Sequence, residues 1–168
     1  LEIIERQEWH RVSCAVRSDG TSPAAEFMGL LKSGMWEEDP DFTSAPDDEQ
    51  VGDYYKLLHK MRFVAQHGEP ERRSDINYLD GGVWEFKVAA KRIAFYDTDG
   101  HGVWVPKGRV QDRRDAEYPD SDWWWFPTLD EELRLLNAWL KVGQKADLSD
   151  IEEAEAIAGE DVSHDERC

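Results

Sequence analysis

Ile76-Asn77-Tyr78-Leu79-Asp80-Gly81-Gly82-Val83-Trp84-Glu85-Phe86-Lys87-Val88-Ala89-Ala90-Lys91-Arg92-Ile93-Ala94-Phe95-Tyr96 is the stretch that decides the fold. Val83 to Val88 alternates at period 2 and is rich in β-formers, the pattern of a strand. Asp80-Gly81-Gly82 before it reads as a turn, because glycine takes positive φ without steric penalty. Ile76–Leu79 and Arg92–Tyr96 read as strands on either side of it. Short strands in succession predict an antiparallel sheet.

Working toward the N-terminus, Glu49 to His67 carries the best helical pattern. Val51, Tyr54, Tyr55, Leu58, Met61, Val64 and Ala65 share a face, and Gly68 and Pro70 stop the helix. Residues 37–49 form an acidic, proline-containing loop. Ala24 to Gly34 reads as a short helix ended by its glycine, preceded by a turn from Ser18 to Pro23 that can cap it. From Trp9 to Val16 the period is again close to 2, predicting a strand.

Toward the C-terminus, Asp97-Thr98-Asp99-Gly100 is a turn, and Val103-Trp104-Val105 would extend a hairpin. Arg109 to Asp122 is charged and irregular. Trp123-Trp124-Trp125-Phe126 either covers the open end of the sheet or forms a stacking or docking patch. Leu133 to Leu140 fits a helix or a buried strand by pattern alone. Asp147 to Ala158 is helical, with Asp147 or Ser149 as N-cap. The order gives an α+β fold: an antiparallel sheet with two N-terminal helices packed on it and a C-terminal helix. Residues 1–48 belong to the same domain as 49–158, and 159–168 read as a polar tail.

The chain has 168 residues, with 20 Lys+Arg against 37 Asp+Glu for a net charge of −17, and eight Trp. That aromatic load argues against disorder, since it supplies apolar area to offset the entropy of ordering. The charge is uneven: residues 1–55 carry −9, residues 56–114 carry +4 and residues 115–168 carry −12. A basic island between acidic flanks points to an anionic ligand at the middle segment, or is simply solvated surface. Bulk charge argues against binding long nucleic acid. No apolar run reaches the length of a membrane span. Cys14 and Cys168 make no disulfide framework, so a reducing, cytoplasmic setting is expected.

Several chemistries are missing. The five histidines show no paired metal spacing. Asp97-x-Asp99-Gly100 resembles a calcium loop, but its twelfth position is Gly108 where a carboxylate is required. No phosphate-binding glycine loop or Gly-x-Ser-x-Gly elbow occurs. No metal and no small-molecule cofactor are expected.

Leu79-Asp80-Gly81-Gly82-Val83-Trp84-Glu85-Phe86-Lys87-Val88 followed by Lys91-Arg92-Ile93-Ala94-Phe95-Tyr96 resembles the paired strands of the RelE/HigB-like toxins. These are endoribonuclease components of bacterial and phage toxin–antitoxin pairs. Leu133 to Lys145 is similar to the family's later apolar strand, and Asp150 to Glu155 to the helix after it. The resemblance covers roughly residues 50–158, with an insertion at about 101–130, and resolves Leu133–Leu140 as strand. The chain departs from the pattern at Val142, where the family has a second Lys, at Ala146-Asp147, where it has Thr-Pro, and in its acidity.

The resemblance implies a metal-independent, ribosome-dependent mRNA endoribonuclease, with a cognate antitoxin, mRNA and the ribosome as partners. Cleavage by the 2′-OH needs that hydroxyl deprotonated, a dianionic transition state stabilised and the 5′-oxygen protonated. By match to the motif, Lys87 and Arg92 contact phosphate, Tyr96 stacks or donates, and Lys145 or Lys141 adds a cation. Lys91, beside Arg92, joins Lys141 as an RNA-binding residue, since adjacent cations repel unless an anion visits. The plainer readings are an exposed sheet lysine at 87, a core or rim tyrosine at 96, and ion pairs from Lys141 and Lys145 to Glu152 or Glu155. An acidic, non-catalytic interaction protein and an inactivated toxin are the competing functions.

Overall fold

The computed structural model describes residues 1–143 and 147–165. Its frame is a six-stranded sheet made of β1 (Glu2–Ile4), β2 (Arg11–Cys14), β3 (Ile76–Asp80), β4 (Val83–Val88), β5 (Lys91–Thr98) and β6 (Glu132–Leu140). The spatial order is β1-β2-β6-β5-β4-β3. The β3–β4–β5 run is antiparallel throughout, with Lys87 opposite Arg92 in its last hairpin. Gly81 and Gly82 make the first turn at φ of 59° and 86°. A side chain at Gly82 would also strike Pro106, 2.7 Å from where its Cβ would stand.

The sheet is mixed, which corrects the expectation of an antiparallel one. β2 runs parallel to β6, from Arg11 opposite Glu132 to Cys14 opposite Leu135. A hairpin forces its strands antiparallel, but most of the chain separates these two. Their relative direction is therefore set by how the intervening elements pack.

Helices α1 (Pro23–Ser33) and α2 (Asp48–His67) begin and end on local signals. The Ser22 hydroxyl accepts from the Ala25 amide, and the Asp47 carboxylate accepts from the Glu49 and Gln50 amides. Gly34 and Gly68 close the two helices at φ of 70° and 76°. Both helices pack on one face of the sheet, against Trp84, Phe86, Phe95, Leu133 and Leu135. Helix α3 (Leu148–Asp165) covers part of the other face, over Val83, Ala94, Tyr96, Leu136 and Trp139. Alternate residues of β4, β5 and β6 thus feed two cores, and a strand buried on both faces loses the polar/apolar alternation that would mark it. That is why Leu133–Leu140 is ambiguous by pattern and a strand in fact.

Two further expectations need correction. Residues 159–165 are the last turns of α3 rather than tail, because the buried Asp161 anchors them. It accepts hydrogen bonds from the Val16 amide, the Tyr96 hydroxyl and Arg134. Val103-Trp104-Val105 forms no strand; Trp104 instead packs edge-on against Tyr96, with ring centroids 5.1 Å apart. The aromatic run divides: Trp125 and Phe126 enter the α1/α2-side core, while Trp123 and Trp124 are half-buried over it. Arg109 stacks 4.5 Å from the Trp125 centroid and Arg113 5.3 Å from that of Trp124. The run is chiefly a cover for the sheet.

Candidate functional site

Residues two apart in a strand share a face, so Glu85 and Lys87 of β4 both point to the α3 side. Arg92 lies opposite Lys87 in β5 and next to Trp139 in β6. Just beyond β6, the Lys141 amide donates to the Ala90 carbonyl at 2.7 Å, which ties Lys141 to the β4–β5 turn. Lys87 and Arg92 are half-buried at the end of the face beyond the residues that α3 covers. Three of the cations picked from sequence are therefore brought to one end of the sheet, from β4, β5 and the residue that follows β6.

Their fourth member is Glu85, 1% exposed and unnoticed in the sequence reading. Its Oε1 lies 3.6 Å from Arg92 Nε, and neither Oε2 nor that Nε has a hydrogen-bond partner among the described residues. Arg92 Nη1 donates to the Ala89 and Lys91 carbonyls at 2.7 and 3.0 Å, so half of the guanidinium fastens the β4–β5 turn. Burial raises the Glu85 carboxyl above its ordinary range, although Arg92, Asn77, Lys87 and Lys141 pull it down. Burial also lowers the Lys87 ammonium, with Arg92, Lys141 and Lys60 adding to the effect and Glu85 opposing it. An acid pushed up beside a base pushed down is an arrangement that favours proton exchange with a ligand. The signal was present in the sequence: Glu85 stands two residues from Lys87 in a period-2 run.

The remaining sequence-derived candidates lie elsewhere. Lys91 is buried on the α1/α2 side, with its Nζ 2.8 Å from Asp53 and 3.4 Å from Asp39. Adjacent strand residues point to opposite faces, so Lys91 and Arg92 do not repel across one surface, and the inference from their adjacency fails. Lys91 is a structural cation that binds the acidic loop and α2 to the sheet. Tyr96 is on the α3 face but fully buried beneath that helix, its hydroxyl given to Asp161. Burial, reinforced by the Asp161 charge, raises that phenol's pKa. It cannot reach a ligand at Lys87 without displacing α3. Lys145 lies outside the described residues.

Among the described residues, no group of three or more His, Cys, Asp or Glu is placed to hold a metal ion, and no helix is long and apolar enough to cross a membrane. The set Lys87, Arg92, Lys141 and Glu85 can bind a phosphate diester and exchange protons beside it. No protein-family model matches the chain, and no curated protein matches it.

Proposed function

We propose that the protein is an endoribonuclease of the 2′-OH-attack type, the toxin of a toxin–antitoxin pair acting on mRNA at the ribosome and restrained by a cognate antitoxin. The observation that carries the chemistry is that Lys87 and Arg92 stand opposite each other in β4 and β5, with Glu85 3.6 Å from Arg92 and Lys141 tied to the same turn. The RelE/HigB-like strand pattern of residues 79–96 and the later match at 133–155 support the toxin assignment. Arg92 and Lys141 would hold the non-bridging oxygens of the scissile phosphate and balance the charge gained in the transition state. The ribose 2′-oxygen attacks phosphorus, the bond to the 5′-oxygen breaks, and a 2′,3′-cyclic phosphate and a free 5′-hydroxyl result. Glu85 takes the proton of the attacking hydroxyl once phosphate draws Arg92 away from it, and Lys87 gives its proton to the departing oxygen.

Only this face needs to be basic if the ribosome contributes most of the affinity, which accommodates the net charge of −17. Induced expression in a bacterial host tests the proposal, comparing wild type with Lys87→Ala/Arg92→Ala for growth and mRNA integrity. Growth arrest with mRNA cleavage, abolished in the double variant, is the expected result. Normal growth with intact mRNA from soluble, folded protein refutes it. The acidic flanks favour the second reading, a non-catalytic protein that engages a basic partner.

A further inference from the structure

On the far side of Trp139 from the cationic cluster lies a groove of about 720 Å³ between α1, the segment after it and the start of α3. Glu26, Glu37, Glu38, Asp150 and Glu153 line it, and of these only Glu153 has a basic partner among the described residues, Arg17 at 3.7 Å. Phe27, Met35 and Trp36 give it an apolar wall. Burial, with Asp147 and Glu153 nearby, raises the Asp150 carboxyl above its ordinary range.

The floor is what distinguishes this groove from a merely acidic surface. Asn137 and Trp139, 4% and 7% exposed, both line it. Asn137 uses Nδ2 on the Asp150 carbonyl, while its Oδ1 and the Trp139 Nε1 have no hydrogen-bond partner among the described residues. An acceptor and a donor two residues apart in β6 are thus buried without use, and a buried polar group left unpaired is costly. They sit on a stretch of β6 that pairs with β5 on one edge and, among the described residues, with no strand on the other, because β2 pairs with β6 only as far as Leu135.

We infer that this groove takes an extended, lysine- or arginine-bearing segment of a basic protein partner. The carboxylates receive its cationic side chains. Its backbone N–H supplies Asn137 Oδ1, and its carbonyl receives Trp139 Nε1. A polyamine matches the charge but has no acceptor for the indole, so a peptide fits the floor better. The inference is independent of the nuclease reading, since none of these residues belongs to the Lys87–Arg92 cluster.

Calorimetric titration of the whole protein with acetylated, amidated Lys-Val-Arg-Val-Lys tests it. Spermidine and the same peptide N-methylated at its valine amides serve as companion probes. The peptide should bind, and Glu26→Gln/Glu37→Gln/Glu38→Gln should weaken it about tenfold, or about 1.4 kcal/mol. Glu5→Gln/Glu8→Gln/Asp120→Asn removes the same charge from exposed positions outside the groove and should leave the affinity within about twofold by additive surface electrostatics. N-methylation should weaken binding at least as much as the groove substitutions. Melting temperatures of both variants, all exposed sites, verify that the fold is kept. Absence of binding, or equal loss in the two variants, overturns the inference. Spermidine binding as tightly as the peptide, with no effect of N-methylation, overturns it in favour of a small-polyamine site.

Discussion

Two neighbouring residues of β5, Lys91 and Arg92, meet opposite electrostatic surroundings on the two faces of the sheet. On the α1/α2 face Lys91 is closed in by Asp53 and Asp39, and Gln50 completes that network through the Trp36 backbone and Asp39. On the α3 face Arg92, the very next residue, shares Glu85 with Lys87 and Lys141, at distances too long for a hydrogen bond from its Nε. The Lys91 site matches charge to charge and is buried. The Arg92 site holds more cation than anion at the end of a half-covered sheet, beyond the matched Arg134–Asp161 pair of the same face. A buried charge is tolerated when it is paired, whereas an unmatched, partly desolvated set marks a candidate functional site.

The largest expected effect lies in the α1/α2-side core. Trp125→Ala should cost about 3–5 kcal/mol, read by denaturant unfolding, because the ring is buried under Arg109. Trp124→Ala, at a half-buried ring, should cost clearly less; equal losses would mean that the whole run is core. Next in size, Asp53→Ala should cost about 3 kcal/mol, near the low end for a broken buried pair because Asp39 remains by Lys91.

A comparable effect should come from pH. Burial lowers His10 to about 4, and its Nδ1 bonds the Asp130 carbonyl at 2.7 Å. The native state therefore binds a proton less readily than the unfolded chain. The contribution of His10 to stability is complete above about pH 6.5 and is lost as the pH drops toward 4, by about 3 kcal/mol. His10→Gln should flatten that part of the profile, and an unchanged profile would assign the acid sensitivity to other groups. Arg92→Ala should lose only about 1 kcal/mol, from its bonds to the β4–β5 turn, while abolishing any RNA cleavage. A large stability loss there would make Arg92 a structural residue like Lys91. Smallest of all, Arg114→Ala removes an exposed pair with Asp112 and should leave the denaturant midpoint unchanged within measurement error.

The local signals carried far. Ser22, Asp47, Gly34 and Gly68 mark the helix ends within a residue or two, and the period-2 run Val83–Val88 with its glycine turn fixes the central hairpin. These features depend on neighbours in the chain: a cap needs an amide two or three residues away, and a hairpin needs only its turn. The same run determined that Glu85 and Lys87 share a face, although the acid escaped notice.

Tertiary structure decided the rest. Whether β2 pairs parallel or antiparallel with β6 depends on packing across more than a hundred residues, which no local pattern records. The extent of α3 was settled by Asp161 finding Tyr96, Arg134 and the Val16 amide. Most consequential is the division of Lys91 from Arg92. The sequence shows two adjacent cations; only the pleat and the two layers of helices determine that one is sealed against Asp53 and the other turned toward Glu85 and Lys87.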